Sequence, residues 1–243
     1  MTIEWLVPAW PAPSNVRAVC TTRTGGVSVG AYASLNLATH VGDDPAAVAT
    51  NRQRLCTALA LPSEPCWLEQ THGANLVEAR AYPAPPSADA SFTTVRGRVC
   101  AILTADCLPI LLCDRLGTMV LAIHAGWRGL FNGIIASTLT RCDRPSADWL
   151  AWVGPGISVA AYAVGAELAA EFIAKDPQYA PFFVTRANIT YADLSGLAAH
   201  QLHAVGVSSI TRDSGCTAAD AARFFSYRRD GVTGRFASLI WLE

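Results

Sequence analysis

Hydrophobic positions along the chain recur with two periods, and each period predicts its own set of elements. A spacing of three to four residues marks four helices. In the first, Asp44 before Pro45 reads as an N-cap with proline at the first helical position. Val48, Leu55 and Leu59 then share a face, and Leu61 and Pro62 end the segment. A second helix is expected after residues 127–129, with Leu130, Ile134 and Leu139 turned inward. A third uses Val164, Leu168 and Phe172 and stops before Pro177, and a fourth uses Leu194, Leu197, Ala198, Leu202 and Val205. Short apolar runs predict strands in VRGRVCAIL before Thr104, LLCD after Pro109, MVLAI at 119–123, WLAWV at 149–153 and SLIWL near the C-terminus. The DGVTG turn is expected to join FFSYRR to RFASLIWL as a hairpin, and AYPAPPSADA at 81–90 reads as a surface loop. Strands and helices mix without strict alternation, which points to an α+β fold with mixed β-sheets flanked by helices. Apolar density is similar on both sides of 81–90, so a single domain over residues 1–243 is the simplest organisation.

Composition narrows the function. Half of the 243 residues (51%) are hydrophobic and 15% are charged, a balance that supports a large core and excludes disorder. The net charge of −1, with no Lys/Arg run longer than two, argues against a nucleic-acid partner. No apolar run approaches the roughly 20 residues of a membrane span, so no membrane partner is expected. The N-terminus carries an early acidic residue and several prolines and does not read as a signal peptide, so a cytoplasmic location is expected. The eight cysteines, with no CxxC pair among them, are then expected as free thiols or metal ligands.

Candidate chemistry gathers where apolar strands give way to polar residues. RVCAIL leads into Thr104, Ala105, Asp106 and Cys107, and MVLAI leads into His124, Ala125, Gly126, Trp127 and Arg128. Polar groups at buried strand ends need a compensating partner, and a metal on Cys107 and His124 is one. A third ligand is required. His200 and His203 fall roughly opposite the apolar stripe of their helix and read as solvated. His72, beside Gly73 in a turn, is the better candidate, and His40 is a second, as ligand or as acid/base group. The competing reading is a buried free cysteine with two hydrogen-bonded histidines.

Five segments in consistent order, from about residue 20 to 243, resemble the YfiH family: CTTRTGGVSVGAYASLNLATHVGDDPAAVATNRQRL, WLEQTHGANLV, LTADCLPILLCD, AIHAGWRGL and RFFSYRRDGVTGRFASLIWL. The family has been described both as polyphenol oxidases or laccases and as purine nucleoside phosphorylases with adenosine deaminase activity. Its fold has been likened to that of the cytotoxic necrotizing factor deamidases. The resemblance implies zinc ligands at the His of Q-x-H-G, the Cys of A-D-C and the His of H-A-G-W-R-G, which are His72, Cys107 and His124. Two departures fall outside these motifs: Gly156 stands where the family often has Ala, and Ala163 where an acidic residue commonly precedes Val-Gly.

Five histidines are too few for the blue-copper site and three-copper cluster of a true laccase, and only Met1 and Met119 are available as axial ligands. Zinc is therefore the expected metal, with copper as the alternative. Deamination of adenosine calls for a metal-activated water. Phosphorolysis of adenosine, inosine or methylthioadenosine calls for cations that hold phosphate, a role that suits the planar arginine fork. Arg23, Arg52, Arg128 and the Arg228–Arg229 pair are the candidates, Arg128 at an expected helix start. Asp106 is a general base or a group that orients a ligand. Glu69, Asn36 and His40 rest largely on the resemblance, and Tyr227 is expected either to contact a purine base or simply to pack. The competing enzyme class is a cysteine hydrolase editing cell-wall precursors, with Cys107 as nucleophile and His124 as base. A binding module without catalysis is the third reading. The expected ligands are small purine nucleosides and phosphate, and the sequence carries no signature of one oligomeric state.

Overall fold

A computed structural model describes residues 2–243, so Met1 lies outside it. The first half of the chain runs β1 (Trp5–Leu6), β2 (Val16–Thr21), α1 (Pro45–Ala58), β3 (Leu76–Glu78), β4 (Ala90–Thr93), β5 (Val99–Thr104), β6 (Leu108–Asp114) and β7 (Val120–Ala125). The second half runs α2 (Trp127–Phe131), α3 (Ile134–Thr140), β8 (Trp149–Val153), β9 (Ala163–Val164), α4 (Ala166–Lys175), β10 (Phe183–Arg186), β11 (Ile189–Ala192), α5 (Leu194–Ala204), β12 (Ser209–Arg212), α6 (Tyr227–Asp230) and β13 (Phe236–Leu242).

The strands form three sheets, ordered β1-β2-β13-β5, β12-β8-β6-β7-β4-β3 and β10-β11-β9. In the six-stranded sheet β12 pairs parallel to β8 and β3 parallel to β4, while the other pairs are antiparallel. This is the expected α+β class with mixed sheets.

The two larger sheets face each other, and residue parity shows how. In β13, Phe236, Ile240 and Leu242 pack between the sheets with Ile102 of β5, Leu111 of β6 and Val120 and Ala122 of β7. The opposite parity, Leu239 and Trp241 with Val99 and Leu103, packs under Leu55 of α1. On the far side of the six-stranded sheet, Ile110, Leu121, Ile123 and Val153 meet Ile135 of α3, Phe172 of α4 and Leu197 of α5. The result is four layers, helix, sheet, sheet, helices. Both faces of the central strands are buried, so they read as unbroken apolar runs rather than alternating ones.

Several elements depart from the pattern reading. Asp44 does cap α1, accepting from Ala46 N–H at 3.0 Å. The single helix expected after residue 129 is two, because Gly133 adopts φ +76° and breaks the ladder between α2 and α3. Only five residues long, α2 offers no extended dipole behind Arg128. FFSYRR is not a strand: Ser226 caps the short helix α6, and β13 pairs instead with β2 and β5. Val164 belongs to β9, not to α4. The 81–90 segment is a surface loop only in its first part, since Ala88, Asp89 and Ala90 are fully buried. Nor does β7 end before its histidine, because it carries His124 within it.

Candidate metal centre

His124 continues the parity of Val120 and Ala122, so its position belongs to the layer between the two sheets. It lies opposite Pro109 of β6, a residue with no N–H to give. His124 N–H turns the other way and donates to the Asp89 carbonyl at 2.7 Å. Cys107 lies in the tight crossing from β5 to β6, where the chain leaves one sheet for the other. Asp106, before it, sits at φ +92°, and His72, in the loop before β3, at φ +60°. Left-handed backbone at non-glycine residues costs about 1–3 kcal/mol each and concentrates at functional sites.

These three segments bring His72, Cys107 and His124 together with all their ligand atoms within 4.8 Å of one another. The two imidazoles meet edge to face at 4.8 Å between centroids. Gly126 makes the approach feasible, since a Cβ there would lie 2.7 Å from Cys107 Sγ and 3.3 Å from His72 Cδ2. Gly126→Ala is therefore expected to push the thiolate out of register and weaken metal binding about 10-fold or more. Competition with a chromophoric chelator measures this, and unchanged affinity would remove Gly126 from the argument.

Beneath the triangle stands Asp89, fully buried, which the sequence presents only as the tail of the 81–90 loop. Its Oδ1 lies 2.8 Å from His124 Nδ1 and accepts from His72 N–H at 2.9 Å. Its Oδ2 accepts from Gly73 N–H at 2.7 Å and from the Thr71 N–H and hydroxyl at 3.2 and 3.1 Å. One carboxylate thus fixes the His124 ring, leaving Nε2 for a ligand bond, and holds the loop that carries His72. Gln70 ties that loop to β5 by a reciprocal pair of 2.8 Å hydrogen bonds with the Leu103 backbone.

Electrostatics follow from these contacts. Burial opposes a charge on Asp89, yet His124 and the Gly73 and His72 N–H groups hold its carboxyl down at about 2. Burial also opposes the Cys107 thiolate, but the two imidazoles outweigh it and bring the thiol below its ordinary range. For His124, burial disfavours the imidazolium, and the Cys107 sulfur and Asp89 carboxylate outweigh it, raising the pKa. The free site already favours an ionised sulfur, which is the form a metal needs.

The triangle opens into a cavity of about 380 Å³, within the range of small-ligand pockets. His40, Asp106, Arg128 and Tyr227 line it, as do Tyr162, Arg228 and Arg235. Partial burial, with Arg235, Arg52 and His72 nearby, lowers the pKa of His40. Asp106 has both oxygens engaged, by Thr217 Oγ1 and Arg228 N–H, each at 2.6 Å. Arg128 is exposed and stacks 4.4 Å over Trp127, while Arg228 lies 4.8 Å over Tyr162.

Other sequence candidates do not line the cavity. Arg23 donates to the Ala33 carbonyl and stacks 4.5 Å over Phe225. Arg52 donates to the Leu37 carbonyl and stacks 4.2 Å over Trp67. Asn36 is buried and bonds Asp43, the Ala38 backbone and Arg235 N–H, so it braces the turn before β13. Arg229 pairs with Asp230 and caps the Thr217 and Phe224 carbonyls. Glu69 is exposed, its backbone bridging to Pro86 and Ala88. His200 lies against Tyr179 and Phe182, so it is not the purely solvated residue its helical position suggested.

This geometry can be set beside known proteins. Residues 17–243 match the family model described as multi-copper polyphenol oxidoreductase laccase. A purine nucleoside phosphorylase YfiH of Shigella flexneri is 47% identical over 239 residues, covering 98% of both chains. The chain belongs to the YfiH family. A purine nucleoside phosphorylase of Pseudomonas aeruginosa is 48% identical over 245 residues, again covering 98% of each chain. The crystal structure of a Neisseria meningitidis protein superposes with a TM-score of 0.94 at 45% identity, covering 98% of this chain and 99% of that one.

The copper chemistry in the family description can be tested against the donor set. Among the described residues, His72, Cys107 and His124 form the one cluster with metal-ligand spacing. Met119, just before β7, is at the opposite end of that strand from His124. The residues fit one metal ion with three protein ligands and an open position, and do not fit a multi-copper cluster. Among the described residues, no helix is long and apolar enough to cross a membrane.

Proposed function

We propose that this protein is a zinc-dependent purine nucleoside phosphorylase that also deaminates adenosine. The observation that carries the reading is the His72–Cys107–His124 triangle at the floor of a cavity lined by arginines and aromatic rings. The names of its relatives support the phosphorylase half. A zinc held by the three residues would supply Lewis-acid activation of water, the chemistry that deamination requires.

The chain's own residues account for the rest. Phosphate enters as an anion, and the cations of the cavity offset its charge in a partly dry site. Trp127 and Tyr162 already carry stacked guanidinium groups, whereas the exposed ring of Tyr227 carries none and is free to take a purine face. His40, kept neutral, has one N–H and one acceptor nitrogen to offer a departing purine. Asp106 acts as a positioning group, since Thr217 and Arg228 occupy its oxygens and it sets the strained turn that presents Cys107.

Zinc-loaded protein is expected to convert inosine and phosphate to hypoxanthine and ribose 1-phosphate, and adenosine to inosine and ammonia without phosphate. Absence of both products from protein with a full zinc complement would end this reading.

A second reading has one specific observation behind it: Cys107, His124 and Asp89 also stand in the order nucleophile, base and orienting carboxylate. A cysteine hydrolase requires a free thiolate, so its activity must rise when zinc is removed. The phosphorylase reading requires loss of deamination under the same treatment.

A further inference from the structure

Among the arginines that line the cavity, one is half-buried and has no ion-pair partner. Arg235, just before β13, is half-buried and lines the cavity. Its Nη1 donates to the Thr233 and Gly234 carbonyls at 2.9 and 3.0 Å, and its backbone N–H to Asn36 at 2.9 Å. Among the described residues it forms no ion pair, while Arg17, Arg144, Arg223 and Arg229 all do. Asp106, a neighbouring carboxylate, is already taken by Thr217 and Arg228. A guanidinium withdrawn from water and left without an anion is costly, and its rigid attachment leaves Nη2 and Nε to donate as a fork.

We infer that Arg235 forms the phosphate subsite of the cavity. The occupant is a tetrahedral oxyanion, inorganic phosphate, held by the guanidinium fork. Arg128 and Arg228 differ from Arg235 in lying exposed with their faces on aromatic rings. The assignment rests on the phosphorylase reading for its place in catalysis, but the anion site itself can be tested without turnover.

Isothermal titration of zinc-loaded protein with inorganic phosphate gives the dissociation constant directly. Arg235→Gln is expected to weaken phosphate about tenfold or more, the loss that goes with removing hydrogen bonds to a charged group. In steady-state assays the KM for phosphate should rise by a similar factor, with the KM for inosine changed less than about twofold. Unchanged phosphate affinity in a folded Arg235→Gln protein overturns the subsite. If that variant does not fold, Arg235→Lys decides: it keeps the charge and loses the fork, and an affinity equal to wild type likewise overturns the assignment. Wild-type protein that binds phosphate through Arg235 yet forms no ribose 1-phosphate upholds the subsite and sinks the phosphorylase reading. Phosphorolysis with an unaltered phosphate KM in Arg235→Gln does the reverse.

Discussion

Cys107→Ala is expected to leave the purified protein without stoichiometric zinc and to reduce deamination by about a hundredfold or more, since a Lewis acid contributes several kcal/mol to such a barrier. Cys107 would be the one sulfur ligand of the proposed site, and His72 and His124 alone would not close a three-ligand site. The fold should survive. Cys107 lies at the cavity wall and is not fully buried, whereas Cys20, Cys100 and Cys113 are core residues. The substitution also removes a charge interaction that raises the pKa of His124, so the His124 pKa should fall in the variant. Elemental analysis, melting temperature and product assays on the same preparation separate these effects. A variant that retains zinc would show that the triangle is not the metal site. Activity that survives with zinc gone would move the chemistry elsewhere in the cavity. A cysteine hydrolase would also lose activity in this variant, so the informative contrast is wild type stripped by a chelator: there the thiolate remains and the metal does not.

The parts of this molecule legible in its sequence are those with strong local patterns. Asp44 and Pro45 start α1 as their types dictate, and the apolar runs at 99–104, 120–123 and 149–153 are strands because both their faces meet core. Cys107 and His124 stood out because polar residues rarely follow such runs. Sequence reading failed where tertiary contacts outrank local ones. FFSYRR has a strand's composition, but Ser226 and the pull of Asp106 on Arg228 N–H turn it into a short helix at the cavity rim. Asp89 follows a proline-rich loop and reads as its tail, yet its partners lie 16 to 35 residues away in sequence, at Gly73 and His124. No local period can encode a carboxylate whose donors come from another loop and another strand. Arg23 and Arg52 are phosphate candidates by residue type, but their guanidinium groups are spent on carbonyls and aromatic faces. Arg235 was overlooked because it opens an apolar strand, where an arginine resembles an ordinary terminal charge. Its significance lies in what it fails to pair with, and that is visible only in three dimensions.

Asp89→Ala is expected to do more damage than its distance from substrate suggests. The change strands the N–H groups of Thr71, His72 and Gly73 and removes the partner of His124 Nδ1, all at one buried point. Breaking a buried charged network by removing one member costs about 3–5 kcal/mol, and unmet buried donors cost about 1–3 kcal/mol each when they cannot reach water. The metal should be held about 10- to 100-fold more weakly, because the His124 ring and the left-handed His72 backbone lose the group that orients them. The pH dependence has a definite sign. The folded-state pKa of Asp89, at about 2, lies below its ordinary value of 3.8. Its contribution to stability is therefore complete above roughly pH 5 and lost as the pH falls towards about 2. Urea unfolding of metal-free wild type should show this loss between roughly pH 5 and pH 2, and Asp89→Ala should show a shallower decline over the same interval. Metal-free protein is required, because acid also expels a metal from thiolate and imidazole ligands and would mimic the effect. Equal zinc affinity and equal urea midpoints in the two proteins would mean that the loops hold themselves, and that Asp89 only fills the space between them.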